Sequence, residues 1–373
     1  MTKMISVFGN SFDDADVEAM KRVMDSHLVG MGDITKQFEQ AFAQKIGFQY
    51  GIGTNSCTNS FWIILKALGF TQTDHVLIPN IHFFGVRNVL DLLGIQWTPV
   101  DTNYPIPNLT VESLQEQIRP ETRAIIFLEY GGYPVDIQSI KSYLISIHRQ
   151  DILLILDAAN SPFTQQEGKY TALDYDIVAY SFDMNKIIVT GDGGMILTNN
   201  QILAEKLKSL SYYGISDLHK SGFNKSKEVD VWWEIDVAIP SLKLPMNNLT
   251  AALGLSQLAK VDAFLAKRTE IVAYYQEHLQ TISAIRLPSI IPSTRNNVYL
   301  FWVLTQKGER NSLAKTLKQA NIYTTVKYQP LVKEANTPKA YQFYESSLCI
   351  PLNQNLTIEE VDYIVATIKR FYG

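Results

Sequence analysis

Apolar and polar positions alternate along this chain in blocks that switch between helical and extended periodicity. Ser56 to Leu68 carries its apolar residues at helical spacing and is closed by Gly69, a residue suited to a helix C-terminus. Val76 to Ile78 is a short apolar run that stops at Pro79, and Phe84 to Leu93 reads as a helix stopped by Gly94. The alternation continues with a strand at Ile95 to Val100, a helix at Val111 to Ile118 and an apolar strand at Ala124 to Leu128. A helix at Ile137 to Ile147 and strands at Ile152 to Leu156 and Ile177 to Phe182 follow. Strands that are apolar throughout, rather than at every second residue, are covered on both faces. Separated by helices, they predict an α/β fold with a mostly parallel central sheet.

The pattern loosens after Tyr212. Asp217 to Asp230 is polar and reads as a mobile loop. Two long helices, Thr250 to Leu265 and Thr269 to Leu279, then carry the chain into a second unit. That unit holds a strand at Tyr299 to Leu304, a helix at Leu313 to Gln319 and a final helix from Ile358 to Phe371. With 373 residues the chain exceeds one ordinary core. The division expected is residues 1–249 as a large domain with its N-terminal segment, and residues 250–373 as a smaller C-terminal α+β domain.

Composition narrows the function. Hydrophobic residues make up 46% of the chain and the formal net charge is -4, without the basic stripe of a nucleic-acid binder. No uninterrupted apolar run reaches the roughly 18 residues of a membrane span, and Met1 to Val7 lacks the apolar centre of a signal peptide. Cys57 and Cys349 form neither a disulfide framework nor a metal-ligand spacing. No strand is followed by Gly-x-Gly-x-x-Gly, which disfavours a nicotinamide dehydrogenase. The expectation is a soluble cytoplasmic enzyme with a small-molecule substrate, no metal, and neither nucleic acid nor membrane as partner.

The most informative stretch runs from Ile152 to Gly194. The strand Ile152 to Leu156 delivers Asp157 at its carboxyl end, the edge where parallel α/β sheets bind ligands. Ala158, Ala159 and Asn160 follow, small or polar residues that leave room. The next strand runs through Ser181 into Asp183-Met184-Asn185-Lys186, and Gly191-Asp192-Gly193-Gly194 comes directly after. A desolvated lysine amine and a buried carboxylate are the two groups that pyridoxal phosphate chemistry needs. The amine holds the cofactor carbonyl, and the carboxylate keeps the ring nitrogen protonated.

These segments resemble the DegT/StrS family of sugar aminotransferases, and the resemblance covers nearly the whole chain. Asp157-Ala158-Ala159-Asn160 is similar to the family's Glu-Asp-Ala-Ala-Gln segment, and Ser181 to Lys186 to its Ser-Phe-His-x-x-Lys motif. Gly191 to Gly194 resembles its Gly-Glu-Gly-Gly, and Met246 to Leu258 matches a further segment. The resemblance implies the aspartate-aminotransferase architecture, fold type I, with pyridoxal 5'-phosphate as a Schiff base on Lys186 and Asp157 at the ring nitrogen. It implies that Ser56, Cys57, Thr58 and Ser181 hold the phosphate, that Phe83 stacks on the ring, and that Asn160 lies beside the ring hydroxyl. A helix N-terminus suits a phosphate on physical grounds as well. The family forms homodimers with shared active sites, which would bring Lys243 to the cofactor phosphate of the other chain.

The chain departs from the pattern at His82, where Thr is common, and at Lys243 and Pro245, where Asn and Arg are common. Lys327 to Val332 resembles a loop with His at both ends, and both are absent here. His82 and Tyr328 are candidate substrate contacts. By family analogy the reaction transfers an amino group from L-glutamate to a keto-sugar, nucleotide-linked, free or a sugar acid, for surface-polysaccharide or amino-sugar biosynthesis. Lys186 argues against the family's dehydratases, which have His in its place. A non-catalytic regulatory protein has no reason to keep Lys186 and Asp157 together.

Overall fold

The computed structural model describes residues 4–215, 235–333 and 335–373. The polar segment Asp217 to Asp230 lies outside them. A seven-stranded sheet forms the centre, ordered Tyr50–Thr54, Gly194–Thr198, Ile177–Ser181, Leu153–Asp157, Thr122–Leu128, His75–Pro79 and Gln96–Val100. Among its described strands, Gly194–Thr198 alone runs against the rest, antiparallel to both neighbours.

Successive strand residues point to opposite faces, and here each face meets its own apolar layer. Ala124, Ile126, Ile155, Ile177, Ala179 and Ile196 pack with Phe61, Ile64, Val89, Leu90 and Leu207 from helices Cys57–Ala67, Phe84–Leu93 and Gln201–Ser211. On the other face Ile125, Phe127, Leu154, Leu156, Val178 and Leu197 meet Phe38, Phe42, Ile140, Leu144, Val261 and Phe264. This two-sided burial is why the central strands read as continuous apolar runs. Gly69 and Gly94 close their helices with φ of 69° and 68°, the left-handed conformation that glycine adopts without a Cβ penalty.

The predicted pair of helices after Thr250 is one helix, Asn248–Leu279, of 32 residues. The apparent break falls on Ala266-Lys267-Arg268, which contains neither glycine nor proline. Arg268 is 1% exposed, so a polar residue that looked like solvent-facing punctuation belongs to the buried stripe. This helix is long and apolar enough, by length and composition, to cross a membrane. It packs instead against helices Asp14–Asp25 and Asp33–Ile46 and buries Asn248, Gln257 and Arg268 in protein contacts. The predicted helix from Val111 to Ile118 shortens to Val111–Leu114.

Beyond the long helix, Ile285–Arg286, Phe301–Thr305 and Ser347–Ile350 form an antiparallel three-stranded sheet. Its core joins Phe301, Val303 and Leu348 to Ile271, Tyr275, Leu313, Ile364 and Ile368. Ile5 enters the same core and exchanges backbone hydrogen bonds with Asn321 and Tyr323.

Candidate active site

The carboxyl ends of the parallel strands open on one cavity of about 740 Å³. Strand Leu153–Asp157 supplies Asp157, and strand Ile177–Ser181 supplies Ser181 and then the turn to Lys186. The chain beyond His75–Pro79 supplies His82 and Phe83, and the chain beyond Tyr50–Thr54 turns at Ser56 into helix Cys57–Ala67. Gly194–Thr198 runs in reverse, so its first residue returns to the same edge.

Ser56 caps its helix in extended conformation (φ -166°, ψ 155°), and its hydroxyl accepts from the Asn59 N–H at 3.1 Å. The N–H groups of Cys57 and Thr58 belong to the first helical turn, where no intrahelical acceptor exists. Ser56, Cys57 and Thr58 all line the cavity. The opening glycine of the reversed strand allows this turn to come close: a Cβ on Gly194 would lie 2.7 Å from the Cys57 nitrogen. Desolvation pushes the Cys57 thiol well up, the Asp157 charge adds to this, and Lys186 opposes it. Cys57 is therefore a neutral thiol and a poor nucleophile.

Asp157 is 4% exposed. One carboxylate oxygen accepts from the Ala159 N–H at 2.9 Å, and the other lies 3.5 Å from Nε2 of His82. Nδ1 of His82 is 3.0 Å from the Phe83 carbonyl, which only accepts, so Nδ1 carries the hydrogen. Nε2 is buried without a hydrogen-bond partner among the described residues. His82 Nε2 and the Asp157 carboxylate therefore face each other across 3.5 Å without a hydrogen bond between them. Asn160 donates to the Tyr328 hydroxyl at 3.3 Å, while its own Oδ1 is buried and unpartnered among the described residues.

Lys186 is 8% exposed, and its ammonium donates to the Tyr299 hydroxyl at 3.1 Å. The turn before it is held by Asp183, whose carboxylate accepts from the Asn185 N–H and side-chain amide, each at 3.0 Å. Ser181 lines the cavity and its hydroxyl accepts from the Asp183 N–H at 3.4 Å. Phe83 and Tyr328 face the cavity with ring centroids 6.0 Å apart.

The cavity thus gathers Ser56, Cys57, Thr58, His82, Phe83, Asp157, Ser181, Lys186 and Tyr328, with Asn160 behind Tyr328. Lys243 is not among the lining residues of its own chain. It is exposed, and its backbone bridges Tyr212 beside the strand that leads to the helix cap. Sequence reasoning missed Tyr299, which reads as one more apolar residue at a strand start. Lys327 was legible as a departure in a loop, but nothing in the sequence placed it beside Lys186.

The residue set fits pyridoxal phosphate. Unpaired helix N–H groups suit a phosphate. The buried Asp157 carboxylate suits a protonated ring nitrogen. The unpartnered Asn160 oxygen suits a ring hydroxyl.

Comparison with known proteins gives the class. The chain belongs to the DegT/DnrJ/EryC1/StrS aminotransferase family, matched over residues 10–369. This is a family of sugar aminotransferases that work with pyridoxal phosphate, and the fold is the aminotransferase fold type I. The chain is 29% identical over 367 residues to the dTDP-4-dehydro-2,3,6-trideoxy-D-glucose 4-aminotransferase of Saccharopolyspora spinosa, covering 96% of this chain and 94% of that one. It is 27% identical over 370 residues to the spore coat polysaccharide biosynthesis protein SpsC of Bacillus subtilis, covering 95% and 93%. Among solved structures, the aminotransferase TlmJ of Streptoalloteichus hindustanus superposes with a TM-score of 0.90 at 28% identity, covering 98% of each chain.

Proposed function

We propose that this chain binds pyridoxal 5'-phosphate on Lys186 and transfers an amino group from L-glutamate to the carbonyl of a keto-sugar, nucleotide-linked as in the Saccharopolyspora relative. The observation that carries the reading is the convergence of Lys186, the buried Asp157 carboxylate and the open helix N-terminus on one cavity.

Bound there, the cofactor supplies an electron sink that acidifies the hydrogen on the nitrogen-bearing carbon. Cys57 and Thr58 N–H groups and the Ser181 hydroxyl would hold the phosphate, and Phe83 would offer the ring an aromatic face. Asp157 would keep the ring nitrogen protonated, and Asn160 would accept from the ring hydroxyl. The Lys186 amine would be the base that takes the proton from the donor carbon and then the acid that returns it. Tyr299 gives that amine a fixed resting position. On this reading residues 1–249 hold the cofactor, and residues 250–373 bring Tyr299, Lys327 and Tyr328 to its rim. The working unit is a cytoplasmic homodimer, in which Lys243 reaches the cofactor phosphate held by the other chain. The product serves amino-sugar or surface-polysaccharide synthesis, as the name of the Bacillus relative suggests.

Borohydride reduction of the protein incubated with pyridoxal phosphate, followed by peptide mass spectrometry, tests this. A pyridoxyl group on Lys186, and none on a folded Lys186→Ala variant, is the expected result. Amine transfer by Lys186→Ala at the wild-type rate would overturn the assignment.

A further inference from the structure

Two ammonium groups share one phenol oxygen in the cavity wall. Lys186 donates to the Tyr299 hydroxyl at 3.1 Å, and Lys327 donates to the same oxygen at 3.3 Å. An ammonium group only donates, so neither lysine neutralises the other. Lys327 also lies over the Phe8 ring at 4.2 Å and over the Tyr299 and Tyr328 rings at 5.7 Å. Among the described residues no carboxylate stands within ion-pair distance of it. The carboxylates at this end of the cavity accept from backbone N–H groups elsewhere: Asp157 from Ala159, Asp183 from Asn185. A half-buried cation whose partners are one phenol hydroxyl and aromatic faces leaves a strong place for an anion.

The position of Lys327 is set in advance. The Tyr130 hydroxyl donates to the Lys327 carbonyl. Two residues earlier, Thr325 and Cys349 exchange both backbone hydrogen bonds, at 3.1 and 2.8 Å. Pro330 bridges Ile81, the residue before His82. The cation therefore meets its ligand without first ordering a loop, which favours tight binding.

Covalent geometry says which anion. In an α-amino acid the carboxylate oxygens lie roughly 3 Å from the amino nitrogen. In the reading given above, on which this inference rests, the donor's nitrogen takes the place of the Lys186 amine. Because Lys186 and Lys327 both reach the Tyr299 oxygen, a carboxylate on the carbon that bears this nitrogen is able to reach Lys327. A nucleotide diphosphate is separated from the reacting carbon by a sugar ring, so it cannot bring its charge as close to the reacting nitrogen as an α-carboxylate does. We propose that Lys327 is the carboxylate-recognising residue of this site. It receives a carboxylate bonded to the carbon that bears the reacting nitrogen, that of the donor amino acid, with Tyr299 as the positioning residue that holds it one hydroxyl away from Lys186.

Two other sources share this chemistry or compete for the charge: a sugar acid with its carboxylate next to the keto carbon, and the donor's distal carboxylate. The test compares wild-type holoenzyme with Lys327→Met and Lys327→Arg. The donors are L-glutamate and its α-amide, L-isoglutamine, which keeps the distal carboxylate, in single-turnover amine transfer. Calorimetry with α-methyl-L-glutamate, which lacks the α-hydrogen, reads binding without turnover. Wild type should favour the acid over the α-amide, and in Lys327→Met that ratio of half-saturating concentrations should collapse by at least about 30-fold. Affinity for α-methyl-L-glutamate should fall in parallel, and Lys327→Arg should restore much of both. An unchanged ratio overturns the assignment, as does a defect seen only with the keto substrate. A wild-type protein that takes the amine from neither donor overturns the functional reading, and this inference with it. Wild-type transfer with an indifferent Lys327→Met overturns this inference alone.

Discussion

Gly194→Ala tests how closely the reversed strand presses on the turn at Ser56 to Thr58, the proposed phosphate site. The added Cβ would meet the Cys57 nitrogen and the Thr54 hydroxyl at 2.7 Å and the Ser56 carbonyl carbon at 2.8 Å. Gly194 cannot retreat, because it pairs with Thr54 on one side and Ser181 on the other. The helix start must therefore yield by roughly 0.7 Å, an overpacking that costs about 1–3 kcal/mol. Part of that strain falls on the N–H groups of Cys57 and Thr58. If most of it is expressed in cofactor binding, Kd for pyridoxal phosphate rises about ten- to a hundredfold, at about 1.4 kcal/mol per decade. Titration of cofactor-free protein by absorbance gives Kd, and a thermal melt of the same sample gives Tm. Gly191→Ala is the control. It sits at φ 87° with nothing within 4 Å of the added carbon, so it should lower Tm through backbone strain and leave Kd unchanged. Wild-type Kd together with wild-type Tm in Gly194→Ala would refute the reasoning.

Asp157→Asn keeps the shape but loses the charge that the proposed function sets opposite the ring nitrogen. Turnover should fall at least about a hundredfold, roughly 2.7 kcal/mol of barrier, with cofactor still bound; a near-wild-type turnover number in steady-state assays would show that another group holds that proton. Glu129 gives a pH dependence. It is fully buried, and burial pushes its carboxyl up to about 7 against the hydrogen bonds it accepts from Thr171 at 2.7 Å and Tyr175 at 3.4 Å. The folded chain then binds more protons than the unfolded one between about 4.5 and 7. Stability from this group is full below that window and is lost as pH rises through it, by about 3 kcal/mol. Thermal melts should show wild type losing ground to Glu129→Gln between pH 5 and pH 8, and parallel curves would count against a proton on Glu129.

The legible parts of the fold share a physical cause. Thr122–Leu128, Leu153–Asp157 and Ile177–Ser181 are buried on both faces, so composition alone marks them. Tyr50–Thr54 was not marked because its sequence, Tyr-Gly-Ile-Gly-Thr, has two glycines where a strand usually shows apolar bulk. Those glycines are there for close approach: a Cβ on Gly51 would lie 2.6 Å from the Glu39 carbonyl oxygen. Gly194–Thr198 was hidden behind its glycine cluster, and its reversed direction depends on pairing that no local pattern encodes. The N-terminal helix Asp14–Asp25 was overlooked although Asp13 and Asp16 form a capping box, a signal present in the sequence. In the site, Asp157 and Lys186 were readable because strand ends and a short motif place them. Tyr299 and Lys186 meet across 113 residues of chain, and the Lys327 contact with Tyr299 depends on the loop after Ile322. Such meetings are set by packing, which the local sequence does not carry.

The uninterrupted helix Asn248–Leu279 fixes a phase as well as a length. At its start the Asn248 amide oxygen accepts from the Thr35 N–H and hydroxyl at 3.0 Å, and its NH2 donates to the Leu28 carbonyl at 2.8 Å. Further along, Arg268 donates to the carbonyl of Leu352 at 3.1 Å and to that of Val298 at 3.2 Å, on the segment that carries Tyr299 into the strand Phe301–Thr305. The two anchors are separated by about 30 Å of axis, and each residue between them turns the helix by roughly 100°. One inserted or deleted residue in that interval would swing the guanidinium away from its carbonyls while shifting the rest by only about 1.5 Å. The helix therefore works as an indexing shaft. It tolerates changes of side chain along its exposed face but not changes of count, and the rotational setting it transmits decides whether Tyr299 stands opposite Lys186.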